Sequence, residues 1–361
     1  MAPPSYPLLV NLAVLSPKPT GISVYAQQVV PHLRSLHPLL LSPQDLPEAA
    51  AIAHRTIPAN LSPAHGSPGH LRRLLWTQFQ LPLLYHQYRS TLIFAPLPEI
   101  PLGLGCRSVA MVHDLIPLRF PNPKSALTLY FRQVLPWVLR RSVHLICNSH
   151  ATAQDVITQF RIPETKITPI PLAYDRAHFR PLNLPRQNYC LYIGRPDPHK
   201  NLPRIIQALA QGPGDLELWI VGGHDRRYTP QIQALSDTLG LGQRLKFLDY
   251  VPYSDLPQLY SQAIALIFPS LWEGFGLPVL EAMACGTPVI TSNCSALPEV
   301  AGEAAILVDP YNVGEIAAAI QAIVQDSGLA QQLVNAGLQQ AQKFSWTQTG
   351  QATAQVLAQL L

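Results

Sequence analysis

Residues 264–292 read IALIFPSLWEGFGLPVLEAMACGTPVITS. The opening IALIF is a short, unbroken apolar run, as expected of a strand buried on both faces. Residues 277–285 follow with a helical pattern, and Pro278 falls in the first turn, where its missing N–H is not needed. TPVITS (287–292) is a second buried strand. A strand, a crossover helix and a strand within so short a stretch make a βαβ unit with parallel strands.

The alternation continues in both directions. Strands are predicted at 189–194, 216–221, 244–248 and 304–308. Helices are predicted over 201–210, 229–240, 313–325, 328–343 and 346–361, with a short one opening at 254–257. The first half repeats the pattern less clearly. Its strand candidates are 8–15, 91–95, 108–112, 143–148 and 166–170. Its helix candidates are 22–36, 71–88, 124–140 and 149–159, and 43–70 reads as loop. The fold class is α/β, built from doubly wound parallel sheets. Pro181–Pro185 reads as a linker. The expected division is therefore 1–184, 185–342 and a last helix over 343–361.

The 361 residues suit two domains, and 48% hydrophobic against 13% charged excludes a disordered chain. The 37 prolines follow no Gly-X-Y period, which excludes collagen. The five cysteines, Cys106, Cys147, Cys190, Cys285 and Cys294, include no Cys-x-x-Cys pair and read as buried thiols. No apolar run reaches the roughly 18–20 residues of a membrane span, and the apolar start lacks a basic leader. A cytoplasmic protein is expected. The net charge of +4 is uneven: residues 1–184 hold 16 Lys+Arg against 7 Asp+Glu, and the rest is acidic. The basic half suits anionic lipid, an anionic acceptor or nucleic acid, or is ordinary surface charge.

Between the two strands of the opening segment, Gly274 and Gly276 permit close backbone approach. The helix start at Phe275, Gly276 and Leu277 offers amides to an anion such as phosphate. Glu273 precedes those amides and Glu281 lies one turn into the helix. Carboxylates there can hold the vicinal hydroxyls of a sugar and of a ribose. Gly194-Arg-Pro-Asp-Pro-His-Lys200 ends the strand at 189–194, the position where open parallel sheets bind ligands. Arg195 and Lys200 suit a diphosphate. Thr20-Gly21 is either a plain turn or a close approach to phosphate. His113 at the end of 108–112 is either structural or in contact with a reacting sugar, and Asp114 either fixes its tautomer or caps a turn. No dinucleotide fingerprint, P-loop, Asp-x-Asp or His-Glu-x-x-His occurs.

Gly21, His113-Asp114, Arg195…Lys200, Glu273…Glu281 and Leu297-Pro-Glu-Val300 occur in one order. That order resembles the retaining glycosyltransferases of family 4, the glycosyl transferases group 1. MVHDLIPLRFP, CNSHATAQDV and YIGRPDPHKNL resemble the subgroup of bacterial O-antigen mannosyltransferases. The resemblance implies a GT-B fold, with two Rossmann-like domains facing across a cleft, the acceptor on the first and the nucleotide sugar mainly on the second. It implies no metal and no cofactor beyond the donor, GDP-mannose or a UDP-sugar. It assigns catalytic roles to His113, Arg195, Lys200 and Glu273. Donor binding falls to Gly21, Arg195, Lys200, Glu273, Phe275, Gly276, Leu277 and Glu281. The implied partners are the donor and a saccharide or lipid-linked acceptor, not nucleic acid. Peripheral contact at the inner face of the membrane would go through the basic half, where Arg72, Arg73, Trp76 and Phe79 share a helix candidate. Departures from the pattern are Ser23, where relatives often have a second Gly, and Pro196 directly after Arg195. A sugar-nucleotide epimerase, a glucan-type synthase and a non-catalytic nucleotide-sugar binder are the alternatives.

Overall fold

The computed structural model describes residues 4–16, 20–103, 105–222 and 224–361. Gly223, at the end of one expected strand, lies outside them. The chain divides into two compact units, Met1–Leu172 with Trp346–Leu361, and Ala173–Ser345.

The first unit holds strands β1 (Leu8–Asn11), β2 (Leu39–Ser42), β3 (Ala53–Thr56), β4 (Leu92–Ala95), β5 (Ser108–Val112), β6 (His144–Cys147) and β7 (Ile167–Pro169). The second holds β8 (Tyr189–Ile193), β9 (Glu217–Val221), β10 (Leu245–Leu248), β11 (Ala265–Phe268), β12 (Val289–Ser292) and β13 (Ile306–Val308). The helices, in chain order, are α1 (Gly21–Val29), α2 (Gly66–Gln87), α3 (Ile116–Arg119), α4 (Ala126–Gln133), α5 (Leu135–Arg141), α6 (His150–Phe160) and α7 (Leu202–Gln211). They continue as α8 (Thr229–Thr238), α9 (Leu256–Gln262), α10 (Leu277–Ala284), α11 (Leu297–Ala301), α12 (Val313–Gln325), α13 (Ser327–Ala341) and α14 (Trp346–Ala358).

The first sheet runs β3-β2-β1-β4-β5-β6-β7 and the second β10-β9-β8-β11-β12-β13. All pairings in both sheets are parallel. Each sheet reverses its winding once, between β1 and β4 and between β8 and β11. Ligands of open α/β sheets bind outside the strand ends at such points. The central strands β1, β4, β5, β11 and β12 are buried along their whole length, so apolar residues dominate them, with Asn11, Ser108, Thr291 and Ser292 at their ends.

The structure corrects several expectations. The strand expected over 8–15 stops at Asn11, whose Oδ1 accepts the Ala13 amide at 3.2 Å and turns the chain. The stretch 43–70 is not all loop, since it contains edge strand β3 and the start of α2. The helix expected over 124–140 is broken at Val134 into α4 and α5, because Pro136 has no N–H to continue it. On α2, Arg73 and Trp76 are buried, whereas Arg72 and Phe79 face solvent.

The first boundary falls before the proline-flanked segment because residues 173–180 pack within the second unit. There Arg176 Nη2 donates to the carbonyls of Gln342 (2.6 Å) and Phe344 (3.0 Å). His178 stacks on Tyr253 at 4.1 Å, and Phe179 meets Tyr260 edge-on at 6.0 Å. At the other end, α14 belongs to the first unit. Thr349 Oγ1 donates to the Pro171 carbonyl at 2.7 Å, and a Cβ at Gly350 would lie 2.2 Å from the His32 ring. Of the cysteines, Cys106, Cys147, Cys190 and Cys285 are buried and Cys294 is half-buried.

Candidate active site

The second unit gathers most of the expected residues beyond the ends of β8 and β11. The ends of β8 and β9 approach so closely that a Cβ at Gly222 would sit 2.2 Å from the Gly194 carbonyl oxygen. Only glycine fits there. Arg195 follows, with its side chain 73% exposed and 3.2 Å from Asp197. A short 3-10 turn, Pro198–Lys200, then ends at Asn201 in the left-handed region, with φ 63°. The Asn201 side-chain amide donates to the carbonyls of Pro269 (2.9 Å) and Pro310 (2.6 Å). The Leu271 amide donates to the His199 carbonyl at 2.7 Å. These bonds tie the loop after β8 to the loop after β11.

The tie brings Lys200 to Glu273: Nζ lies 2.7 Å from Oε1, and both side chains are largely buried. Lys200 Nζ also lies 4.9 Å from the Phe268 ring centroid. The Glu273 amide donates to Ser295 Oγ at 3.2 Å, so the backbone here is fixed as well. The diphosphate cation and the sugar carboxylate expected from sequence are thus one ion pair.

Gly276 caps α10 with φ 118°, and a Cβ there would lie 2.7 Å from Leu297 Cδ2. At that positive φ any side chain is strained, whatever room Leu297 gives. Phe275 is buried, edge-on to Phe344 at 5.9 Å. The Gly276 and Leu277 amides precede the first hydrogen bond of α10, which the Val279 amide makes to the Gly276 carbonyl at 3.0 Å, and the helix dipole favours an anion at that end. One turn on, Glu281 Oε2 accepts from the Tyr260 hydroxyl at 2.9 Å. Burial pushes the Glu281 carboxyl up to about 7, and the Tyr260 hydrogen bond pulls the other way.

In the first unit, Gly21 begins α1. The helix is capped by Thr20, whose Oγ1 accepts the Ser23 amide at 3.3 Å. His113 follows β5, and its Nε2 lies 2.9 Å from the Pro96 carbonyl. A carbonyl only accepts, so the proton sits on Nε2 and Nδ1 is the acceptor. Burial pushes this imidazole down to about 4, so it is neutral near pH 7. Asp114 accepts the Ile116 amide at 2.9 Å, which makes it a turn cap. The tautomer of His113 is set by Pro96 instead.

Tyr260, Asn201 and Ser295 were not legible as site residues. Tyr260 and Ser295 lie far along the chain from Glu281 and Glu273 respectively. The one local signal at Ser295 is its positive φ of 58°, which shows only in the folded chain.

Residues 175–340 match the family described as Glycosyl transferases group 1, and residues 19–178 match Glycosyltransferase Family 4. O-antigen chain mannosyltransferase B of Escherichia coli is 31% identical over 77% of this chain and 74% of its own length. O-antigen chain mannosyltransferase RfbU of Salmonella typhimurium is 29% identical over 88% of this chain and 91% of its own. Among solved structures, sucrose-phosphate synthase from Thermosynechococcus elongatus superposes with a TM-score of 0.77 at 23% identity, covering 98% of each chain. The fold is GT-B, and the family matches and named relatives make the chain a glycosyltransferase. This chain belongs to glycosyltransferase family 4, in the mannosyltransferase-like subgroup.

Proposed function

We propose that this enzyme moves a hexose, mannose by preference, from a nucleotide-diphospho-sugar to a saccharide or lipid-linked acceptor, with retention of anomeric configuration and without a metal ion. The observation that carries the reading is the Lys200–Glu273 pair at 2.7 Å, held at the strand-end crevice of the second unit beside the start of α10. The donor bond breaks to give an oxocarbenium-like sugar and a diphosphate leaving group. Lys200, Arg195 and the α10 amides meet the charge that develops on the diphosphate. Glu273 accepts hydroxyls of the transferred sugar, and Glu281 those of the ribose. His113, neutral, offers Nδ1 to a sugar hydroxyl. The named relatives favour mannose and hence GDP-mannose. A panel of GDP-mannose, UDP-glucose and ADP-glucose with mannoside acceptors tests the reading. The expected result is transfer from GDP-mannose to give an α-linked product, read from the anomeric coupling by NMR. A β-linked product, or epimerised donor with no transfer, overturns it.

Transfer is expected to persist in EDTA at wild-type rate, because on this reading Lys200, Arg195 and the helix amides carry the diphosphate charge. Loss of transfer in EDTA, restored by magnesium or manganese, refutes metal independence.

The first unit also suits contact with an anionic membrane. Leu71, Leu75, Phe79 and Leu83 recur every four residues on α2 and so share one face. All four are more exposed than buried or nearly so, Phe79 reaching 63%. Leu71 and Leu74 line a groove of about 900 Å³ with Leu127 and Leu129 of α4 and Lys124. Arg72 and Arg132 are exposed on the same two helices. Among the described residues no helix is long and apolar enough to cross a membrane. An apolar face edged by cations lies on an anionic surface, each cation contributing about 1 kcal/mol. The chain is expected to pellet with anionic vesicles at low salt and less so at moderate salt. Phe79→Ser with Leu83→Ser should weaken that binding by about tenfold or more, since burying each side chain is worth up to about 1.5–3 kcal/mol. Equal pelleting of wild type and variant removes this face from the contact.

A further inference from the structure

Arg195 is far more open to solvent than Lys200, with 73% of its side chain exposed against 18%. An exposed arginine loses rotamer freedom when a ligand fixes it, which weakens binding unless something else has already placed it. Its backbone is rigid. The Tyr192 hydroxyl donates to the Arg195 carbonyl at 3.0 Å, and the Lys200 amide donates to the Asp197 carbonyl at 2.9 Å. Between them, Pro196 and Pro198 flank Asp197, and each fixes its own φ. A residue before proline is held extended, and Asp197 has φ −64° and ψ 146°. Pro196, a departure from the family pattern, therefore stiffens this loop.

The Asp197 carboxylate stands on that stiff segment and is largely buried. Arg195 Nη2 lies 3.2 Å from its Oδ2, and Arg227 Nη2 approaches its Oδ1 at 3.7 Å from the loop after β9. Arg227 is itself gripped: its Nε and Nη2 donate to the Asp225 carboxylate at 2.9 and 2.6 Å, and its amide donates to Asp225 Oδ1 at 2.8 Å. Those hydrogen bonds pull the Asp225 carboxyl down to about 2, so it is ionised near neutrality. The Asp225 amide in turn donates to Thr229 Oγ1 at 2.9 Å, where α8 begins. Contacts thus run from Asp225 to Arg227, Asp197 and Arg195, with the charge alternating at each step. Among the described residues no side-chain donor of Arg195 is used in a hydrogen bond, so its planar fork stays available to an anion.

We propose that Asp197 is a positioning residue for the donor: its carboxylate, backed by Arg227, holds the Arg195 guanidinium ready for the diphosphate with its donors uncommitted. The proposal rests on the nucleotide-sugar reading above, and it adds to that site a residue whose charge has the wrong sign for direct contact. A carboxylate close to a diphosphate repels it. Charge alone therefore predicts tighter binding once residue 197 is neutral, and positioning predicts weaker binding.

The test is calorimetric titration of the full chain with GDP, UDP and ADP, followed by a double-mutant cycle on whichever binds tightest. Asp197→Asn should weaken that nucleotide by about tenfold, the scale of a hydrogen bond to a charged group. Arg195→Ala should weaken it at least as much. Adding Asp197→Asn to Arg195→Ala should change nothing further, because Asp197 acts only through Arg195. Arg227→Met, at a half-exposed side chain that leaves Asp197 in place, should weaken the nucleotide by about threefold and likewise add nothing to Arg195→Ala. Thermal melts accompany the titrations. Binding by Asp197→Asn as tight as wild type, or tighter, overturns the proposal and leaves the nucleotide-sugar reading standing. An equal loss with and without Arg195 also overturns it, since a merely structural Asp197 acts in both backgrounds. A wild type that binds none of the three nucleotides overturns the nucleotide-sugar reading and this inference together.

Discussion

Lys200→Met is expected to lower kcat/KM for the donor by about 10²–10³-fold. The loss is that of one preorganised group facing charge that develops in the transition state, worth about 2.7–4 kcal/mol. Glu273→Gln should fall by a similar factor for a different reason. The amide keeps the shape but removes the charge that holds Lys200 Nζ at 2.7 Å. Because the two side chains act as a unit, the double variant should be little worse than either single one. Removing one partner also leaves the other charge mostly buried, which costs stability by up to about 3–5 kcal/mol. Thermal melts of both single variants therefore accompany the kinetics. Arginine at 200 should restore the melting temperature and only part of the activity, since its planar fork cannot occupy the position of a point charge. Donor kcat/KM within threefold of wild type in Lys200→Met would remove Lys200 from the chemistry.

The second unit was legible because its strands are short, mainly apolar runs between helices with periodic apolar faces. The apolar periodicity over 313–325 predicts a helix with the same ends as α12. In the first unit the signal weakens where burial does. Strand β3 is Ala-His-Arg-Thr, alternately half-buried and exposed at the sheet edge, and no apolar run marks it. Strand β2, Leu-Leu-Leu-Ser, carries the signal over only three apolar residues beside a long loop. The site was legible where glycine and proline mark it, as at Gly276 and Pro278. It was illegible where a partner comes from elsewhere in the fold. No local pattern pairs Lys200 with Glu273 across 73 residues, or Arg73 with Glu99 across 26. The amphipathic reading of α2 also mixed two faces. Arg73 looked like surface charge, and only the Glu99 carboxylate explains its burial.

Nucleotide-sugar binding is expected to strengthen as pH rises through about 7, and Glu281 is the cause. Its carboxyl is pushed up to about 7 by burial, so near neutrality it is partly protonated and a poorer acceptor for ribose hydroxyls. Above that value it is ionised, and hydrogen bonds to a charged group contribute roughly 1.5–3 kcal/mol. Glu281→Ala should therefore weaken binding by about tenfold to a hundredfold at pH 8, and by less at pH 6. The intact nucleotide sugar is the ligand of choice, since its diphosphate has no terminal phosphate to titrate in this range. Tyr260 donates to Glu281 at 2.9 Å and stabilises the ionised form. Tyr260→Phe should move the midpoint up by about one pH unit or more without touching the ligand, one unit being 1.36 kcal/mol. A merely structural Tyr260 would lower affinity equally at every pH. Stability carries the opposite sign. The folded-state value lies above the ordinary 4.5, so the contribution of Glu281 is fully present below that value and is lost as pH rises through about 7. Without ligand, Glu281→Gln should lose less stability than wild type between pH 5 and pH 8. An affinity profile in wild type as flat as in Glu281→Gln would remove the carboxylate from ribose recognition.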